Sequence, residues 1–401
     1  MFTENRSTFN FLSGQSAGLS FSNLNFKFKT ELSVRHLYNF YLPAGTLKNK
    51  SFFFILLLSL WSSACRQSQP KENPSAGNNK TAIKKDSATV ATLPDTAQFI
   101  KPDTTKLAVA PNKPDSVKSE SVKKDTNPPG WPVKGPEPLP GSILPGNRII
   151  AFYGNPLSKG MGILGQLEPE QMFAKLDKEV AAWQKADPST PVKPAFHVIV
   201  VTAQGKPGPG GKYRLRMSDF VAERVIGWAE QKDALVFLDL QIGQSSLQEE
   251  IPRLAKFLQK PNVHLGIDAE FALQPGQVPG KRVGTYDAKD INYASQFLAD
   301  LVKEHNLPPK LLIVHRFTQR MITNYRNIKL DPRVQIVMHM DGWGNKTLKR
   351  DSYYRYIQKE PVQYTGFKLF YKNDVRKKGW SLMTPEEVLR LKPQPLYIQY
   401  Q

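Results

Sequence analysis

Eight short apolar segments recur between Asn147 and Gln401, and they constrain the fold more than any other feature of the sequence. They are rich in β-branched and aliphatic residues, which is typical of parallel strands covered on both faces. The segments are RIIAFYG (148–154), AFHVIVV (195–201), ALVFLDL (234–240), VHLGIDAEF (263–271), LLIVHRF (311–317), VQIVMHM (334–340), GFKLFY (366–371) and PLYIQY (395–400).

Most intervals between these segments have helical periodicity. PEQMFAKLDKEVAAWQKAD opens with Pro169 and places Phe173, Leu176 and Trp183 on one stripe. The interval TQRMITNYRNI, after the fifth segment, has a weaker pattern. The alternation predicts an α/β fold, a single (β/α)8 barrel of the TIM type that lacks the last helix, preceded by a disordered linker. A doubly wound open parallel sheet is the alternative.

A short apolar run near the N-terminus indicates export. KNKSFFFILLLSLWSSAC has a basic flank, a core too short to span a bilayer, and small residues before Cys65, the one cysteine of the chain. Ser63-Ala64-Cys65 resembles a bacterial lipobox, although Ser62 stands where that pattern usually has Leu. The resemblance implies lipid attachment at Cys65 and a place in the bacterial cell envelope, facing the periplasm or the surface, in contact with the outer membrane.

Composition divides the rest of the chain. Residues 65–146 are dominated by Lys, Pro, Ser, Thr, Asp and Asn, which predicts a lipid-anchored disordered linker. We therefore expect a signal peptide over 47–64 and the barrel domain over 147–401. Residues 1–46 are interpreted as an extension upstream of the true start, or else as a cytoplasmic tail.

The formal net charge is +20, from 55 Lys and Arg against 35 Asp and Glu. Such an excess favours anionic partners. However, no basic run is interleaved with aromatic residues in a nucleic-acid module, and export argues against nucleic acid as a partner. We interpret the excess as a solvated basic surface on a monomer.

Polar residues interrupt the apolar segments close to their C-terminal ends, where barrels of this type hold their chemistry. Strand side chains alternate between faces, so Asp268 and Glu270 are expected on one face of the fourth strand. The candidate site residues are Tyr153, Gln204, Asp239, Gln241, Asp268, Glu270, His315, His339, Asp341, Trp343, Lys368, Tyr371 and Gln399.

Crowded carboxyl groups suit glycoside hydrolysis, which needs one protonated acid and one ionised carboxylate. We expect Glu270 to be the acid, with Asp268, Asp341 or Asp239 as base, nucleophile or stabilising charge. The other nine candidates would bind a polysaccharide or peptidoglycan substrate, and no cofactor or metal is expected.

The GIDAE stretch resembles the strand-four signature of muramidase- and chitinase-type glycoside hydrolase barrels, where a D-x-E pair closes that strand. The further Asp upstream of the pair in chitinases has an apolar residue in its place here, so their mechanism is not carried over. AFYGNP, GILGQ, TAQG, GIDAEF, HMDG and GFKLFY together resemble an uncharacterised family of secreted bacterial barrel lipoproteins. This second resemblance implies the fold and no activity.

Two alternatives stay open. The same acids and histidines could bind a divalent metal in a hydrolase or phosphodiesterase, although no HExxH motif is present. A non-catalytic glycan-binding or structural barrel would instead hold its acids in ion pairs with Arg316 and Lys368. An acid pair without such cations would favour catalysis.

Two smaller features complete the set of expectations. His197 and His264 lie early in their strands and are expected in the core or floor of the barrel. The Gly- and Pro-rich stretch 272–287 would be either a lid over the acids or a solvent-exposed loop.

Overall fold

The computed structural model describes residues 128–401, so the expectations for the signal peptide, Cys65 and most of the linker lie outside the described residues. The described strands, in chain order, are β1 (Arg148–Gly154), β2 (Val192–Ala203), β3 (Arg214–Arg216), β4 (Leu235–Leu240), β5 (Val263–Asp268), β6 (Tyr286–Asp287), β7 (Lys310–Arg316), β8 (Ile322–Thr323), β9 (Val334–Met340), β10 (Tyr364–Leu369) and β11 (Tyr397–Tyr400).

The α-helices are α1 (Ile163–Gln166), α2 (Pro169–Ala186), α3 (Asp219–Lys232), α4 (Leu247–Glu250), α5 (Ala255–Leu258), α6 (Ala288–Glu304), α7 (Lys346–Tyr353) and α8 (Pro385–Leu389). Short 3-10 turns cover Ile251–Leu254, Ala269–Phe271, Gln319–Met321, Tyr325–Asn327 and Asn373–Val375, and a π turn covers Tyr354–Gln358. In the part of the chain that the structure describes, no helix has the length and apolar character needed to cross a membrane.

Eight parallel strands close into a barrel in the order β1-β11-β10-β9-β7-β5-β4-β2, and β1–β2 pairing completes the ring. This confirms the predicted (β/α)8 architecture and excludes the open doubly wound sheet. Strand β3 extends the barrel sheet by pairing antiparallel with the last residues of β2.

The helical layer departs from the sequence pattern in two places. The expected helix after β4 is divided into α4, a 3-10 turn and α5, because Pro252 has no backbone N–H and favours a break. After β7, two 3-10 turns and the short strand β8 stand where the helical pattern was weak. Strand β8 pairs with β6 outside the barrel.

Alternation along the strands sorts their side chains into two apolar clusters. Ile150 and Phe152 face outward, toward the helices. Ile149 and Ala151 face inward, into a smaller cluster with Phe237 and Tyr397. The same alternation continues toward the C-terminal ends of the strands, where inward positions become polar.

The segment before β1 closes the N-terminal end of the barrel. Leu144 is buried in the inner cluster. The Gln335 side chain, at the start of β9, forms hydrogen bonds with the backbone of Ile143 and Leu144. Gln335 Oε1 accepts the N–H groups of Ile143 (3.0 Å) and Leu144 (3.1 Å), and its Nε2 donates to Leu144 O (2.6 Å). The packed structure therefore begins upstream of the predicted domain boundary at residue 147.

Replacing Gln335 with Met should destabilise the domain by roughly 2–4 kcal/mol, because the backbone groups of Ile143 and Leu144 lose their hydrogen bonds to this side chain. The same substitution at Gln231, an exposed residue of α3, should stay within about 0.5 kcal/mol of the parent. Urea unfolding of both variants measures the difference. Equal, small effects would show that the contact with the floor segment contributes little.

Candidate active site

The inward-facing polar residues near the C-terminal ends of the strands form one group, the barrel-mouth cluster. Its members, all buried, are Tyr153, His197, Asp239, Gln241, Asp268, His315, His339, Asp341, Lys368, Tyr397 and Gln399. Several of them follow an inward apolar residue at the next alternate position, as Asp239 follows Phe237 and His315 follows Ile313. The cluster is therefore a direct result of strand register.

An ionic chain crosses one side of the cluster. His315 Nδ1 lies 2.7 Å from Asp341 Oδ2, and Lys368 Nζ lies 2.9 Å from Asp341 Oδ1. Lys368 Nζ also lies 3.8 Å from the centroid of the Tyr153 ring. Asp341 is thus an ion-paired acid, with Lys368 as the partner expected for a binding or structural barrel.

These contacts determine the charges of the chain. Burial alone would lower the pKa of His315, but Asp239 and Asp341 outweigh it and raise that pKa to about 9. Burial opposes ionisation of Asp341 as well, yet Lys368 and His315 hold its pKa well below the usual range. Asp341 is consequently a carboxylate at any physiological pH.

Asp239 lies at the centre of the cluster and has no solvent exposure. Its Oδ2 accepts a hydrogen bond from the Tyr153 hydroxyl (3.0 Å), which in turn accepts one from Gln241 Nε2 (3.1 Å). Its Oδ1 lies 3.1 Å from His197 Nε2 and 3.5 Å from His315 Nε2. Burial raises the Asp239 pKa, but His315 and His197 more than offset it, so the net pKa is lowered.

Asp268 and Glu270 have a different environment. Strand β5 ends at Asp268, and a 3-10 turn begins at Ala269, so the two acids do not continue one strand face as the sequence pattern predicted. The turn forms because Asp268 Oδ1 accepts the backbone N–H of Glu270 at 3.0 Å. Glu270 retains partial exposure at the mouth, whereas Asp268 is 2% exposed.

Neither of these two acids forms an ion pair with any residue of 128–401, unlike Asp341 and Asp239. Burial is the main reason that the pKa of Asp268 rises to about 7, and the charges of Asp341 and Asp239 add to it. Burial also raises the pKa of Glu270 to about 8, with further contributions from Asp268 and Asp341. Glu270 therefore holds a proton near neutrality, which a general acid requires.

The stretch that follows these acids folds back against them. Gly284 N–H donates to Glu270 O at 2.7 Å, and Thr285 N–H donates to Ala272 O at 3.0 Å. Gln244 Nε2 holds the far end of the stretch by donating to Gln277 O at 2.7 Å. These bonds attach the loop to the β5 end of the barrel at several points.

Of three further candidates, Gln399 belongs to the cluster, whereas Trp343 and Gln204 lie outside it. Gln399 Nε2 donates to the Tyr397 hydroxyl inside the barrel (3.1 Å). Trp343 is partly exposed beyond β9, with the Arg376 guanidinium 4.0 Å from its ring centroid. Gln204 is partly exposed in the β2–β3 connection.

Two candidates face away from the barrel interior. Tyr371 donates its hydroxyl to Glu179 Oε1 at 2.6 Å and stacks on Tyr400, against α2. Arg316, the other cation considered as a partner for the acids, points outward from β7. It pairs with Glu360 Oε2 at 2.6 Å. Its neighbour on the strand, His315, faces inward.

The cluster includes two residues that the sequence analysis did not select. His197 was expected in the core, and it is buried there, but it contacts Asp239. Tyr397 joins it through a 2.7 Å contact between its hydroxyl and His197 Nδ1. Alternation from Ala195 would have identified His197 as inward-facing, because the two residues are separated by one position.

Two groups of buried side chains have metal-ligand atoms within 4.8 Å of one another. One is His197, Asp239 and His315, and the other is His315, His339 and Asp341. Both groups lie within the barrel-mouth cluster, and imidazole and carboxylate are common ligands of first-row divalent metals.

The raised pKa values of Asp268 and Glu270 predict a dependence of stability on pH. Their folded pKa values, about 7 and about 8, exceed the reference values of 3.8 and 4.5. Stability is thus fully present below the reference values and falls as pH rises toward the folded values, by at most about 1.4 kcal/mol per pH unit and group. Solvent screening reduces the effect at Glu270 because that residue is partly exposed.

Asp268→Asn and Glu270→Gln should therefore gain stability relative to the parent as pH rises from about 4 to about 8. Urea unfolding across that range measures the gain. Glu304→Gln, at an exposed position near the end of α6, is the matched control and should follow the parent. Parallel curves for all four proteins would contradict the assignment of raised pKa values.

No protein-family model and no curated protein matches this sequence. Among solved structures, a ruminal GH26 endo-β-1,4-mannanase is similar at 13% identity and a TM-score of 0.31, over 64% of this chain and 59% of that one. A hyperthermophilic endo-β-1,4-glucanase is similar at 10% identity and a TM-score of 0.27, over 52% of this chain and 76% of that one. Isomaltulose synthase from Klebsiella sp. LX3 is similar at 10% identity and a TM-score of 0.26, over 55% of this chain and 56% of that one. These are likenesses to glycoside hydrolase barrels.

Proposed function

We propose that the barrel acts on a polysaccharide or peptidoglycan as a glycoside hydrolase, with Glu270 as general acid. The observation that carries this proposal is the contrast between two kinds of carboxyl group at one barrel mouth. Glu270 is protonated near neutrality and has no cationic partner among the described residues, while Asp341 is permanently ionised. Such a division of roles is what glycoside hydrolysis needs.

In the proposed reaction, the Glu270 carboxyl transfers its proton to the glycosidic oxygen as the bond from that oxygen to the anomeric carbon breaks. Asp341 supplies the negative charge that stabilises the developing oxocarbenium ion. Water then adds to the anomeric carbon and gives one proton to the Glu270 carboxylate, which restores the acid. His315 and Lys368 hold Asp341 in position through contacts of 2.7 and 2.9 Å. Asp268 helps to keep Glu270 protonated.

The decisive experiment is reducing-sugar release by the full-length protein from peptidoglycan and from a panel of acidic and neutral glycans. Release by the parent should fall by about 10²–10⁴-fold in Glu270→Gln, since that variant cannot donate the proton. Glu304→Gln should retain parental activity. Unchanged release by Glu270→Gln would assign the acid elsewhere.

The pH profile gives the same experiment a second readout. Activity should decline as pH rises through about 8, where Glu270 loses its proton. Asp268→Asn removes a neighbouring carboxyl that raises this pKa, so the alkaline limb should move to lower pH.

A non-catalytic glycan-binding barrel is the second candidate, and the ion pairing of Asp341 with Lys368 favours it. The low exposure of the cluster is also consistent with a structural network. Glycan binding by calorimetry without product release from any glycan of the panel would support this candidate over hydrolysis.

We also propose that the chain is a lipoprotein of the bacterial cell envelope, attached through Cys65 to the outer membrane. The support is the apolar run FFFILLLSLW followed by small residues and Cys65. One acyl chain anchors weakly, so the diacylated or triacylated cysteine of such proteins would be needed for stable attachment. The linker would then hold a monomeric barrel away from the membrane surface.

Cys65→Ala should abolish incorporation of labelled fatty acid and move the protein from the detergent phase to the aqueous phase in a phase-partitioning assay. Ser68→Ala, three residues further along the proposed linker, is the control and should behave as the parent. Retention of Cys65→Ala in the detergent phase would contradict lipid anchoring at this residue.

A further inference from the structure

Three buried atoms in the barrel-mouth cluster converge without making a hydrogen bond. They are His197 Nε2, Asp239 Oδ1 and His315 Nε2. Asp239 Oδ1 lies 3.1 Å from the first nitrogen and 3.5 Å from the second, and all three atoms lie within 4.8 Å of one another. Asp239 Oδ1 therefore has two imidazole nitrogens as ion-pair neighbours, and none of the three atoms has a well-aligned hydrogen bond. Buried polar atoms in this state are rare and call for an explanation.

The opposite atom of each side chain is held by a partner. His197 Nδ1 lies 2.7 Å from the Tyr397 hydroxyl, and Asp239 Oδ2 accepts from the Tyr153 hydroxyl at 3.0 Å. His315 Nδ1 lies 2.7 Å from Asp341 Oδ2. Ligands in metal sites are oriented in this way, with the distal imidazole nitrogen bound to a carboxylate or another acceptor.

Gly266 allows His197 and Asp239 to pack closely against β5. A Cβ at this position of β5 would lie 2.5 Å from His197 Nε2 and 2.6 Å from Asp239 Oδ1. Any side chain there would collide with the convergent atoms. The absence of a side chain at Gly266 therefore lets the His197 ring and the Asp239 carboxylate come together against the β5 backbone inside a close-packed barrel.

From this geometry we propose that His197, Asp239 and His315 bind one divalent transition-metal ion through His197 Nε2, Asp239 Oδ1 and His315 Nε2. Two imidazoles and one carboxylate suit Zn²⁺ and its first-row neighbours. Tetrahedral Zn²⁺ with bonds of about 2.1 Å separates its ligand atoms by about 3.4 Å, which the two observed separations bracket. Three protein ligands leave one coordination position open.

The second group of possible ligands is less suited to a metal. Asp341 has both oxygens engaged in ion pairs, Oδ1 with Lys368 and Oδ2 with His315. A metal there would have to displace the Lys368 ammonium. In the His197 group, by contrast, the ion would replace the contacts of Asp239 Oδ1 with His197 Nε2 and His315 Nε2, and no lysine would have to leave. This proposal does not depend on glycan hydrolysis.

The test is Zn²⁺ binding by the full-length protein after chelator treatment, followed by calorimetry and by metal analysis of the dialysed complex. We expect one equivalent per chain, and visible absorption typical of a nitrogen- and oxygen-ligated ion when Co²⁺ replaces Zn²⁺. His197→Gln and Asp239→Asn should lose the bound equivalent. An absence of Zn²⁺ and Co²⁺ binding by the parent would overturn the proposal.

Two further variants keep the test independent of folding defects. Tyr397→Phe retains all three ligands and removes only the hydroxyl that orients His197, so its Zn²⁺ affinity should fall by about 10–100-fold. His264→Gln is the matched control, because His264 is a buried inward-facing histidine of β5 outside the triad, and its Nδ1 accepts the Leu311 N–H at 3.2 Å. This control should bind one equivalent.

His339→Gln separates the two ligand groups. It should retain the bound ion if the His197 group is the site. Loss of Zn²⁺ in His339→Gln together with retention in His197→Gln would overturn the proposal and assign the metal to the group containing Asp341. Equal loss in His264→Gln and His197→Gln would indicate a general loss of packing and would also contradict the assignment.

Discussion

The buried carboxylate of Asp239 is the constraint on which the rest of the barrel mouth depends. A negative charge without solvent exposure is stable only if neighbouring groups replace its hydration. Tyr153, His197 and His315 surround it. Each is held in turn by another residue: Gln241, Tyr397 and Asp341, respectively. Because these groups come from β1, β2 and β7, the charge ties together strands that are far apart in the sequence.

The surrounding network separates the acids into two kinds. Cations reach Asp239 and Asp341, so their pKa values are lowered. No ion pair within 128–401 involves Asp268 or Glu270, and burial raises the pKa of both. The same barrel interior therefore keeps one pair ionised and the other largely protonated. This difference links the fold to acid–base chemistry, and it also carries a cost in stability, since buried acids oppose folding as they ionise.

The sequence predicted the barrel well because the alternation of apolar strands with helical intervals is a local pattern that recurs along the chain. Strand β9 has the predicted bounds, 334–340, and β1 the predicted 148–154. The predictions were less accurate where a side-chain contact sets the backbone conformation. Asp268 captures the Glu270 N–H and ends β5, so Glu270 leaves the strand face assigned by alternation. Tyr371 was assigned to the site by its place after a strand, yet it packs outward against α2.

By itself, the sequence determined which residues could face the barrel axis, because the period of a strand is two whatever the neighbouring strands are. Only the tertiary structure decided which of them touch. From the sequence, Lys368 could have paired with any of the acids, and in the structure it forms an ion pair with Asp341. Arg316 points outward and pairs with Glu360. The physical reason is that pairing and pKa depend on distances across the barrel, which are set by the stagger of neighbouring strands and not by spacing along the chain.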